Sequence, residues 1–311
     1  MNDLYEIADQ MNEALKEYYR PVDLSKEQIR HLILSFGKIG HVEKAPSKAL
    51  QSIIKGGKIM AVDGSNNSYG GLYPHYIEIY RGVAISSMDK KDDIVKSSYF
   101  CPLLSGDEGE KGRDRERRLA QIELEVALTA IEHSPSVLIM DGSLIRYHIF
   151  QEELYKELTK CCIDQGIILV GVIEDLKTSI LYDLIHNKKG PIFYDREGFY
   201  NNLEIGEFVV FDPGKTKKEE SGIYPTFLRS SKDPYVIGVD FLQEQKGFFE
   251  EILSLLYTLT PEGSRGIPQL LDIADQHCKI TDKAVEEVLR HSIDPIIFEK
   301  ILRPQRNKRS R

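Results

Sequence analysis

A chain of 311 residues with 41% apolar and 29% charged residues has the composition of a soluble globular protein and the length for one large domain plus an appendage, or for two modest domains. No window approaches the ~18 consecutive apolar residues of a membrane span, and the acidic, amphipathic start has no signal-peptide core, so a cytoplasmic protein is expected. A net charge of -8 argues mildly against nucleic acid as a partner, yet a metal-dependent nuclease concentrates acids at its centre and keeps its basic residues local, so charge alone does not decide.

The first 55 residues read as a helical preface. Leu4, Ile7, Met11, Ala14, Leu15 and Tyr18 recur at helical spacing over residues 3–19, and residues 24–36 and 47–54 read as further helices. Their apolar faces must cover the main sheet or a second copy of the chain. The sheet is expected to open at residues 59–63. A turn-rich loop over 64–74 then leads to a long strand, 76–86, expected antiparallel to the first, and a third strand is placed near 97–104. The mixed-charge stretch 106–118 reads as a solvated loop entering a helix over 117–132. A helix over 146–162 and the almost wholly apolar strand 167–173 follow, the latter as expected of a central strand covered on both faces. Residues 207–212, 226–230 and 235–242 read as later strands, with a basic turn at 213–218. Helices over 248–259, 268–277, 283–289 and 295–302 close the chain, and a basic tail, 303–311, is expected to be disordered and able to contact nucleic acid.

Two stretches repeat one pattern: KIMAVDGSN at 58–66 and VLIMDGSL at 137–144. Each is an apolar run of strand length ending in Asp-Gly-Ser, which puts Asp63 and Asp141 where a buried strand leaves its sheet, the place where open α/β sheets keep their chemistry. The glycine would permit a sharp turn and a close ligand, and the serine would cap the turn or the next helix. Two carboxylates at neighbouring strand ends repel unless a proton or a cation lies between them. Oxygen-only ligands favour magnesium or manganese. Strand-Asp-Gly is also a common turn signal, but its recurrence after two strands favours a functional site.

On the helix that leads to the second stretch, Glu123 shares a face with Leu119, Ala127, Ala130 and Ile131, while Glu125 falls beside Gln121 and Thr129. A carboxylate on a packed face is costly without a partner, so Glu123 is the expected third ligand and Glu125 the reserve. Lys177, at the exit of strand 167–173, could contact a phosphate or be a solvated lysine at a helix start. Lys215, Lys217 and Lys218 in the basic turn are further candidate DNA contacts. Cys101, Cys161, Cys162 and Cys278 show no C-x-x-C spacing and are expected to be reduced, partly buried thiols, with no structural zinc site. No Walker A or G-x-G-x-x-G pattern occurs, so nucleotide-driven motor work is not expected of this chain.

The chain resembles the NurA-domain nucleases. The resemblance is carried by AVDGS at 61–65, the R-x-L-x-x-x-E-L-E-x-A helix running into LIMDGSL at 138–144, GVIEDLK at 171–177 and GIPQLLDIA at 266–274, in the family's order over roughly residues 59–280. It implies an α/β, ribonuclease-H-like fold, a mixed five-stranded sheet flanked by helices, over residues 58–302, after an N-terminal helical segment at 1–57. It also implies a manganese-dependent acidic centre that cuts DNA during double-strand break repair, a homodimer, and partnership with a HerA-type hexameric translocase. Asp63, Glu123 and Asp141 match the family's metal-binding acids. Where the family's last helix carries a histidine, this chain has Asp275, with His277 two residues on. Asp275 as a fourth oxygen ligand is the favoured reading, His277 the reserve. Two divalent cations bridged by Asp63 would activate a water and stabilise the departing oxygen. A catalytically weakened, DNA-threading adaptor and a phosphohydrolase of a small substrate are the competing readings.

Overall fold

Alternating apolar runs and amphipathic stretches fold, in chain order, as α1 (Asn2–Tyr19), α2 (Lys26–Phe36), β1 (Gly37–His41), α3 (Ser47–Ile53), β2 (Ile59–Gly70), β3 (Tyr76–Ser86) and β4 (Ile94–Phe100). Then come α4 (Pro102–Ser105), α5 (Gly112–Ile131), β5 (Val137–Asp141), α6 (Leu144–Phe150), α7 (Glu152–Gln165), β6 (Ile168–Ile173), α8 (Ile180–His186) and α9 (Asp195–Phe199). The last part comprises β7 (Glu207–Phe211), β8 (Ile223–Leu228), β9 (Ile237–Leu242), α10 (Phe249–Leu259), α11 (Gln269–Cys278), α12 (Asp282–Ser292) and α13 (Pro295–Ile297). This computed structural model describes residues 2–19, 24–54, 57–105, 112–186 and 194–303. The start of the expected loop at 106–118 and all but the first residue of the basic tail lie outside them.

Among the described residues the strands form one mixed sheet in the order β1-β7-β8-β9-β6-β5-β2-β3-β4. Its centre is β2, β5 and β6, paired in parallel, with the antiparallel meander β2-β3-β4 on one side. That five-stranded unit is the expected ribonuclease-H-like arrangement. The sheet does not stop at five strands, however: β9, β8, β7 and β1 continue it antiparallel beyond β6. Alternate residues of the central strands serve opposite faces. Ile59, Ala61, Val137, Ile139, Val170 and Val172 pack with α10 and α11, whereas Met60, Val62, Leu138, Met140 and Leu169 pack with α5, α6 and α7. A third cluster joins α2, α8 and α9 to β7 and β8.

Three local readings change. The preface contains an edge strand, β1, whose sequence GKIGH has a single strong apolar residue and so gives no periodic signal. Its pairing needs Gly37, because a Cβ there would meet the Val210 carbonyl oxygen at 2.3 Å. The expected loop after Asp63 is instead strand as far as Gly70, since Gly64 to Gly70 pair with Gly82 to Tyr76 of β3 and satisfy a polar backbone that would otherwise need water. The helix expected over 146–162 is two helices, broken where Gln151 leaves helical geometry at φ -146° and ψ 58°.

Candidate active site

Asp63 and Asp141 leave adjacent parallel strands at the same level, one residue beyond the Val62 and Met140 pair. The two Asp-Gly-Ser stretches nonetheless fold differently. Gly142 takes φ +94°, which turns the chain from β5 into α6. Gly64 stays within β2, and its lack of a side chain admits Glu123, whose Oε1 would lie 2.6 Å from a Cβ placed there. The serines diverge as well. Ser65 donates its hydroxyl to the Cys278 carbonyl, and Asn67 donates to the Ile280 carbonyl at 2.9 Å, so the polar end of β2 clasps the end of α11. Ser143 begins α6 but donates to the Asp240 carboxylate at 2.6 Å.

The acids meet in a buried setting. Asp63 is 5% exposed and Glu123 2%. Burial pushes the Asp63 carboxyl up, and Asp141 is pushed up to about 7 by burial and then by the charge of Asp63, with which it shares a hydrogen bond. Two carboxyls kept this close repel, so each takes up a proton more readily than an isolated acid, although the Arg146 charge opposes this at Asp141. The Gly64 amide donates to Asp63 Oδ1 at 2.7 Å, and the Cys278 thiol to Oδ2 at 3.2 Å. Burial pushes that thiol up, so it stays protonated as a donor. Burial likewise pushes Glu123 up to about 7, against the pull of Arg146, whose guanidinium donates to its carboxylate. Arg146 also donates to the Tyr147 hydroxyl at 3.0 Å and lies over its ring, and that hydroxyl donates to the Asp141 carbonyl at 3.0 Å.

A metal-ligand geometry is present on one side of this centre. Ligand atoms of Asp63, Asp275 and Cys278 all lie within 4.8 Å of one another. Asp275, on α11, also accepts from Lys279 at 2.6 Å. His277 points to the exposed side of the same helix. Glu123 is turned to Arg146, and Glu125 lies where its helical position put it, accepting from Gln121 at 2.8 Å. Of the expected DNA contacts, Lys177, Lys215 and Lys217 are exposed, with Lys215 over the Phe36 ring. Lys218 is not an open contact: its ammonium is bound to both oxygens of buried Asp240, at 2.7 and 2.8 Å. Residue-by-residue reading missed Arg146, Asp240 and the nearness of Cys278 to Asp63. Only Cys278 left a signal, since it shares the buried face of α11 with Leu271 and Ala274.

Paired acids at the carboxyl ends of adjacent parallel strands in a ribonuclease-H-like sheet are an arrangement able to hold a divalent cation against a phosphodiester, and the class this suits is a hydrolase. The NurA domain family model matches residues 57–280, and the chain belongs to that family: it is a nuclease, a hydrolase of DNA phosphodiester bonds. No curated protein sequence matches it. Among solved structures it is similar to the catalytic domain of human endonuclease V at 14% identity and TM-score 0.41, over 90% of this chain and 98% of that one. Endonuclease V from Bacillus subtilis is similar at 14% identity and TM-score 0.37, over 86% and 94%. Endonuclease V from Ciona intestinalis, in complex with inosine-containing DNA, is similar at 14% and 0.37, over 90% and 99%. These likenesses are distant, and membership of the NurA family rests on the family match.

Proposed function

We propose that this chain is a divalent-metal-dependent deoxyribonuclease that processes DNA ends in double-strand break repair, as a homodimer working with a HerA-type hexameric translocase. The observation that carries the catalytic part is the placement of Asp63 and Asp141 at the ends of adjacent parallel strands, with Asp275 and Cys278 brought to Asp63, because carboxylates kept this close repel unless a proton or a cation lies between them. The donors fit: Asp63 and Asp275, with ligand atoms within 4.8 Å of each other, offer hard oxygens suited to manganese or magnesium, Asp141 at the neighbouring strand end would add another, and the protonated Cys278 supports Asp63 by hydrogen bonding. Bound cations, two in the fullest form of this reading, would supply the Lewis acidity that activates a water and stabilises the leaving oxygen.

The protein's own groups do the rest. Asp63 is fixed by the Gly64 amide and the Cys278 thiol, so its oxygens are set before a ligand arrives. Glu123 is ion-paired with Arg146, and a cation that drew Glu123 to itself would free that guanidinium for a phosphate oxygen. In this reading strand separation would come from the translocase. A cytoplasmic setting agrees with the four free cysteines, and no helix among the described residues is long and apolar enough to cross a membrane.

The test is digestion of end-labelled single- and double-stranded linear DNA with manganese, magnesium or a chelator, comparing the native chain with Asp63→Asn. Shortening that requires metal and disappears in the variant is the expected result. No cleavage with either metal, even with a translocase supplied, would leave the DNA-threading adaptor as the better reading.

A further inference from the structure

Beyond the end of β6 lies a pocket of about 620 Å³ whose walls include Lys177, Tyr194, Arg196, Tyr200 and Tyr235. None of these residues belongs to the acidic centre, yet the pocket adjoins it. Val172 of β6 pairs with Asp141, and the chain leaving β6 runs from Glu174, whose charge raises Asp141, to Asp175 on the pocket wall. Asp175 accepts from Arg196 at 2.6 Å.

Exposed aromatic side chains are ordinarily scattered singly. Here three tyrosines are grouped, at 45% exposure for Tyr194, 48% for Tyr200 and 37% for Tyr235. Tyr200 and Tyr235 meet edge to face with ring centroids 5.0 Å apart, and the Arg196 guanidinium lies 4.6 Å from the Tyr235 ring centre. Among the described residues the Lys177 ammonium has no hydrogen-bond or ion-pair partner.

The pocket is also built to keep its shape. Asp195, next to Tyr194 and fully buried, accepts from the amides of Ile180 and Leu181 at 3.1 and 2.8 Å, and its own amide donates to the Thr178 carbonyl at 2.7 Å. The Asn201 amide donates to the Pro234 carbonyl at 3.0 Å. Three segments far apart in sequence, carrying Lys177, Tyr194 to Tyr200, and Tyr235, are thereby locked together by buried or backbone hydrogen bonds.

We infer that this pocket is a binding site for single-stranded nucleic acid, in which bases stack on Tyr194, Tyr200 and Tyr235 while Lys177 and Arg196 take the flanking phosphates. Rigid aromatic faces beside cations are the chemistry of sequence-tolerant single-strand binding, since every base has a π-face and every linkage a charge. A folded duplex keeps its base faces covered by stacking, so the pocket discriminates for unpaired strands. The inference rests on the nuclease reading for its purpose: a strand held here would lie next to the acidic centre that β5 and β6 carry.

The test is fluorescence anisotropy of a labelled twelve-nucleotide oligothymidine with the full-length chain in chelator, where nothing turns over. Tyr200→Ala with Tyr235→Ala should weaken binding about tenfold or more with an unchanged circular-dichroism spectrum, whereas Tyr200→Phe with Tyr235→Phe should retain it, since the ring and not the hydroxyl carries the stacking. An abasic oligonucleotide of the same length should bind the native chain about as weakly as oligothymidine binds the double alanine variant. Equal affinity of the native and double alanine chains, equal affinity for abasic and base-bearing strands, or no binding by the native chain would each overturn the inference. A native chain that binds through its tyrosines but cleaves no DNA with manganese or magnesium would instead sink the nuclease reading and leave this site standing.

Discussion

Asp141 shows how one residue couples the site to the stability of the fold. Its carboxyl is pushed up to about 7 by burial and by Asp63, whereas in an unfolded chain it would titrate near ~3.9. The folded state therefore holds its proton more tightly. Below about pH 4 the contribution is fully present, and it is lost as the pH rises through about 7, so above that the metal-free protein carries a strained pair of acids. Asp141→Asn keeps the shape and removes the charge. In chelator at pH 8 the variant should be more stable than the native chain by on the order of 2 kcal/mol, with the difference vanishing near pH 4. Urea unfolding at the two pH values measures it, and a variant less stable than the native chain at pH 8 would contradict this account. The residue scale also shows what sequence conveys. The placement of Asp63 and Asp141 at neighbouring strand ends, and of Glu123 on a packed helix face, is legible because a repeated strand-end pattern and a charge on an apolar helix face are both local signals. The pairing of Arg146 with Glu123, and the seat of Cys278 against Asp63, arise only when α6, α5 and α11 converge on β2, and no spacing along the chain encodes them.

Between elements, the junction of β9 with α6 depends on one buried ion pair. Asp240 side-chain exposure is 1% and that of Lys218 14%, and Asp240 also accepts from the Ser143 hydroxyl and the Leu144 amide, 2.6 and 3.1 Å away. It thus ties the start of α6, which carries Arg146, to the strand beside β6. Lys218→Met leaves a buried carboxylate without its cation and should destabilise the protein by about 3–5 kcal/mol. Lys218→Met combined with Asp240→Asn should recover most of that loss, because no uncompensated charge remains. Denaturant midpoints of the three variants decide it; a double variant as unstable as Lys218→Met alone would mean that packing, not charge, is what Lys218 supplies. From sequence, Lys218 reads as one of three candidate DNA contacts in a basic turn. Strands with continuous apolar runs, such as β5 and β6, are plain in the sequence for the opposite reason: burial on both faces leaves its mark on every residue. The polar half of β2 and the short β1 are not, since each is strand only by virtue of its partner.

At the scale of the whole molecule, α1 stands apart from α2. Ile29 and Ile33 of α2 are buried, within the cluster that includes Val209 and Phe227. On α1, Leu4, Ile7, Met11, Leu15 and Tyr18 stay 63, 59, 58, 48 and 47% exposed, an apolar stripe at helical spacing that a lone chain leaves in water. In the proposed homodimer a second copy covers it. Removing residues 1–19 should then lower the mass seen by light scattering to that of one chain while leaving the melting temperature of the dilute protein within a few degrees, because no core residue is lost. Removing residues 1–41 should be far worse, since it also strips Ile33 and the edge strand that pairs Gly37 with Phe211. The contrast between the two truncations separates association from folding. If the shorter truncation keeps the mass of a dimer, the contact between copies must lie elsewhere on the sheet and its flanking helices, and the stripe on α1 is left for another partner.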